Sequence, residues 1–127
     1  MNFLSTPQWA AMLYMLLALV AASVQYSLAC GARLGHLTLG GYWPKRLPRQ
    51  LRPVAGIQGT LLLIMGMAVL DQGGVIDTLL PVWSFDLTVL ITGLSLLANV
   101  LTPSKPERRL WAPVLAVMLV AAKVSAG

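Results

Sequence analysis

The sequence predicts an all-α membrane protein, an antiparallel bundle of four transmembrane helices, and two observations carry that prediction. The chain holds four apolar blocks, Trp9–Ala29, Val54–Leu70, Trp83–Leu101 and Leu110–Val124. Each is near the ~20 residues an α-helix needs to cross the hydrocarbon core of a bilayer. Eight of the nine basic residues also gather in two of the three loops between the blocks. The first loop carries Arg33, Lys45, Arg46, Arg49 and Arg52, and the third carries Lys105, Arg108 and Arg109. The middle loop has only Asp71 and Asp77. Loops one and three of a four-span protein share a side, so the positive-inside rule predicts cytoplasmic basic loops and outward termini. The predicted helices are 9–29, 54–70, 83–101 and 106–124, with a cytoplasmic loop over 30–53.

Composition narrows the function. Of 127 residues, 57% are hydrophobic and 10% charged, against ~25% charged in ordinary soluble domains. One domain, most of it in lipid, is the expectation. The net charge of +5 belongs to loops flanking spans, where bases meet anionic headgroups. No separate basic fold presents them to nucleic acid. One cysteine excludes an internal disulfide and any multi-cysteine metal site. Ser27-Leu28-Ala29-Cys30 has some likeness to a lipoprotein cleavage site. No Lys or Arg precedes the first block, however, so the usual basic leader is missing, and a helix-end cysteine is expected.

The first helix begins after Pro7, which suits a first helical turn, with Trp9 and Tyr14 as interfacial aromatics. From Cys30 to Gly35 glycines end it. His36–Trp43 reads as an ordered, partly buried loop, and Pro44, Pro48 and Pro53 break any long helix. Leu47 and Leu51 suit a short surface helix between those prolines. The second helix carries Gly59 and Gly66, with Gly73 beyond its end. Their seven-residue repeat keeps them on one face. Small residues let helices approach closely in lipid, so packing is expected in preference to a backbone-lined path.

The third helix has the most informative pattern. Ser84, Thr88, Thr92, Ser95, Asn99 and Thr102 recur every three or four residues, drawing a polar stripe down one face. The stripe either bonds within and between helices or walls a polar cavity or path. In the fourth helix Ser104-Lys105-Pro106-Glu107 reads as a capping box, with Ser104 capping and Glu107 reaching back. Near the cytoplasmic ends, Gln25, Tyr26, Gln58, Asn99 and Glu107 form a predicted polar layer. Arg46, Arg49, Arg52, Arg108 and Arg109 lie close to it in topology. The arrangement suits either a hydrogen-bonded clamp or a headgroup or anion site, because guanidinium groups grip phosphate in a forked geometry. Asp86 and Lys123 lie near the outer ends of neighbouring antiparallel helices and are candidates for an ion pair or cap.

Chemistry has little support. With one histidine, His36, no nucleophile, base and orienting acid assemble, and no metal or haem ligand set exists. No cofactor is expected. The chain also carries the runs Gly31-Ala32-Arg33-Leu34-Gly35-His36, Gly40-Gly41, Leu47-Pro48 to Leu51-Arg52, Asn99 to Ser104, Glu107-Arg108-Arg109-Leu110-Trp111 and Pro113-Val114. Together they resemble an uncharacterised family of small bacterial four-span integral membrane proteins. The resemblance implies a bacterial inner membrane and four spans, and transfers no activity. The expectation is a non-enzymatic accessory or lipid-contacting subunit, with membrane lipids and other membrane subunits as partners. The alternative is a small homo-oligomeric transporter or channel lined by the stripe. A lipid-modifying enzyme using Glu107 and the inner arginines is a third class, resting on a weak acid–base set.

Overall fold

In a computed structural model, residues 5–78 and 80–127 are described. Among them are four α-helices, α1 (Thr6–Ala29), α2 (Arg52–Gln72), α3 (Trp83–Leu101) and α4 (Lys105–Ser125), and no strand. The start of α1 is closed by a capping box that the Ser-x-x-Gln spacing would have signalled. Gln8 N donates to Ser5 Oγ (3.3 Å) and Ser5 N donates to Gln8 Oε1 (2.9 Å). At α4 the expected box is half formed. Glu107 N donates to Ser104 Oγ at 3.4 Å, but the Glu107 carboxylate turns away, towards the first loop.

That loop holds two short 3-10 turns, Gly35–Leu37 and Leu39–Gly41. No helix forms between Pro44 and Leu51, only bends and a turn, which corrects the expected surface helix. Leu47 is instead drawn inward, buried with Leu28 of α1 and Ala55 of α2. This apolar contact pins the loop across the ends of those helices.

Helix α1 lies between α2 and α4, while α3 packs on α4 and touches α2 only sparsely. The close α1–α2 approach follows from the glycine repeat. Gly59 faces the Tyr26 ring, Gly66 faces Met15 and Ala18, and Gly73 faces Ala11 and the Pro7 carbonyl. All three thus lie against α1, with small residues opposite two of them, which is the small-residue packing that lipid favours. The main core joins Ala11, Tyr14 and Ala18 of α1 to Met65 and Val69 of α2 and to Trp111, Leu115, Met118 and Ala122 of α4.

Helices α1, α2 and α3 are long and apolar enough to cross a membrane. Helix α4 does not meet that measure, so three of the four expected spans are shown by length and composition. Its charges, Lys105, Glu107, Arg108 and Arg109 at one end and Lys123 near the other, leave only 110–122 uncharged. At ~1.5 Å per residue that run covers about 20 Å of a ~30 Å hydrocarbon core. The outward faces remain apolar, with Leu16, Val20, Ile57, Leu90, Leu94, Leu97 and Val120 all exposed. An apolar exterior of this kind belongs in lipid or against a partner.

Candidate functional site

Because α2 and α3 barely meet, an open cavity of about 700 Å³ lies between them, backed by α1 and α4. Its wall includes Tyr14, Ala21 and Gln25 of α1, Gln58, Leu62 and Met65 of α2, Ile91, Thr92, Ser95 and Asn99 of α3, and Trp111, Leu115 and Met118 of α4. One end is closed by Leu37–Gly40 of the first loop together with Thr102 and Glu107. The exposed members of the lining are Leu61 on α2, Ala98 and Leu101 on α3, and Pro103 just beyond it. The mouth therefore opens sideways, between α2 and α3. This volume falls within the ~300–1,000 Å³ of small-molecule sites.

Three polar contacts hold the loop in place as the closed end. Gly40 N donates to Glu107 Oε2 (2.9 Å), Ser104 Oγ donates to the His36 carbonyl (2.8 Å), and Trp111 Nε1 donates to the Leu37 carbonyl (2.7 Å). Thr102 Oγ1 adds a second hydrogen bond to Glu107 Oε2 at 3.0 Å. A glycine at position 40 suits the turn, since its φ is +73°, a conformation that costs other residues dearly.

The α3 stripe faces inward. Thr88 and Thr92 are buried, and Thr92, Ser95, Asn99 and Thr102 line the cavity, whereas Ser84 and Thr88 lie beyond it. Thr88 Oγ1 donates to the Ser84 carbonyl (2.8 Å), and Thr92 Oγ1 to the Thr88 carbonyl (2.7 Å). A threonine hydroxyl has one proton, so Tyr14 must be the donor in its 2.7 Å bond to Thr92 Oγ1. Tyr14→Phe removes this interhelical bond and leaves the packing intact. It should lower stability by about 0.6 kcal/mol, the usual value for such bonds in membranes, measured as the unfolding midpoint in mild detergent.

Of the predicted polar layer, Gln25, Gln58, Asn99 and Glu107 line the cavity. Tyr26 does not; its exposed ring covers Gly59 and its hydroxyl meets Thr60 Oγ1 at 2.8 Å. Asn99 Nδ2 donates to the Ser95 carbonyl at 2.7 Å, which fixes the amide and leaves Oδ1 buried without a partner among the described residues. Gln25 Oε1 is likewise buried and has no partner among the described residues.

The basic cluster does not join this layer. None of Arg46, Arg49, Arg52, Arg108 and Arg109 lines the cavity. Arg46, Arg49 and Arg109 are exposed. Arg52 spends its Nε–H on the Leu47 carbonyl (3.1 Å), and Arg108 donates to the Thr102 carbonyl (3.1 Å). The expected combination of carboxamides and guanidinium groups is thus split, with carboxamides and a carboxylate inside and arginines outside. Asp86 and Lys123 are both exposed, and no ion pair joins them within 4.0 Å. No family model, curated protein or solved structure matches the chain.

Proposed function

We propose that the protein is a non-enzymatic integral membrane protein that holds a lipid or similar apolar-bodied molecule in the cavity between α2 and α3. The cavity itself carries this reading, because a mouth between two membrane-spanning helices opens towards acyl chains. The wall is chiefly apolar over Leu62, Met65, Ile91 and Leu115 and polar near the loop end, matching the two halves of an amphiphile. Burial of Thr88 and Thr92 within the chain's own bundle favours this reading over a path lined by the stripe between copies of the chain.

In this reading α4 also crosses the membrane, its terminal charges reaching back to the interfaces by snorkelling. The basic loops lie on the cytoplasmic side of a bacterial inner membrane. Cys30, exposed beside the first loop, should react with a membrane-impermeant thiol reagent in inverted vesicles and not in intact cells. The reverse pattern contradicts the orientation.

The binding role is tested by intact-particle mass analysis after gentle detergent release. The wild type should retain one amphiphile per chain, and Ala98→Trp, which fills the mouth, should lose it. A wild-type particle that carries none overturns the reading. Larger subunits at fixed stoichiometry would assign the lipid-holding chain to an assembly as an accessory component.

A further inference from the structure

We propose that the loop end of the cavity recognises a protonated primary amine carried on an apolar body, with the Glu107 carboxylate as its partner; this inference rests on the cavity being a binding site. Glu107 is only 9% exposed, yet no basic side chain among the described residues lies within 4.0 Å of it. Buried carboxylates are ordinarily paired. Both hydrogen bonds that Glu107 accepts fall on Oε2, from Gly40 N and Thr102 Oγ1. Oε1 accepts none among the described residues, and the residue faces the cavity.

The surroundings agree with a cationic donor. Asn99 Oδ1 is an acceptor whose orientation is settled by the Nδ2 contact to Ser95, and it too lacks a donor among the described residues. Trp111, four residues after Glu107 and so one turn along the same helical face, also lines the cavity. Cations are favoured over tryptophan rings, and an ammonium brings three donors to acceptors that have spare capacity. An anionic head would meet the carboxylate directly. From Glu107 to Met118, both on the wall, the rise along α4 is about 16 Å, which leaves room for an alkyl body beyond the head. The same chemistry has two sources: the headgroup of an aminophospholipid, or a free lipophilic amine.

The test compares retention of dodecylammonium, dodecanol, dodecanoate and phosphatidylethanolamine by the full chain in uncharged detergent, with Ala98→Trp as the blocked background. Dodecylammonium should bind roughly tenfold or more tighter than dodecanol, and dodecanoate least, as loss of a buried charge partner implies. Glu107→Gln keeps an oxygen for Gly40 N and Thr102 Oγ1 and removes the charge. It should bring dodecylammonium down to the level of dodecanol. If phosphatidylethanolamine shows the same Glu107 dependence, the source is the lipid; if only dodecylammonium does, it is a free amine. Equal retention of the alcohol and the amine by the wild type overturns the inference, and that comparison needs no variant to fold. Failure to retain any of the four probes above the blocked background overturns the cavity reading itself.

Discussion

Gly35→Ala should destabilise the first loop by about 3 kcal/mol or more, the upper end of overpacking costs. A β-carbon at position 35 would overlap the Trp43 carbonyl and lie 2.6 Å from the Lys45 carbonyl. Both obstacles are backbone, so no rotamer change relieves them. The Gly35 amide also donates to the Lys45 carbonyl at 2.7 Å, and that bond breaks when the segments part. Since this loop closes one end of the cavity, the damage spreads to the Gly40–Glu107 and Trp111–Leu37 contacts. Trypsin should then cut readily after Arg33, Lys45, Arg46 and Arg49. Protease resistance equal to that of the wild type would show that the loop is not packed as described.

Gly73→Val should lower stability by about 1–3 kcal/mol through the same kind of overpacking. Its β-carbon would lie 2.6 Å from Ala11 Cβ and 3.0 Å from the Pro7 carbonyl, neither of which can swing aside. Gly66 differs, because its nearest obstacle is the flexible end of Met15. Gly93 provides the control: nothing lies within 4 Å of its position on α3. Gly93→Ala should be neutral or stabilising by up to ~1 kcal/mol. Thermal midpoints in one detergent order the three proteins, with Gly73→Val lowest. Equal midpoints for Gly73→Val and the wild type would mean that α1 and α2 do not approach here.

The helices were readable because apolar length and bilayer thickness are linked by simple geometry, and α3 begins and ends where its apolar block does. The glycine repeat was readable for a similar reason, since a seven-residue period holds one face whatever the partner. Which neighbour that face meets was not readable, nor was the sparse α2–α3 contact that leaves the cavity. Both depend on how four helices are arranged around one another, and periodicity within one helix carries no information about that. Glu107 shows the limit most clearly. Its spacing from Ser104 points to a local capping role, but Gly40, far off in sequence, supplies a backbone donor that draws the carboxylate into the cavity wall. The arginines misled for a related reason. Equal depth in a topology diagram does not place side chains together, and Arg52 and Arg108 find backbone carbonyls nearer at hand.

The most direct measurement is photo-crosslinking in vesicles, with a phospholipid bearing a diazirine along its acyl chain and the labelled residues mapped by mass spectrometry. Occupancy of the cavity predicts labels on the inward residues Met65, Ile91 and Met118, in addition to outward residues such as Leu16 and Leu94. Ala98→Trp should abolish the inward set and spare the outward one. Labels confined to the outward residues in the wild type would contradict the account.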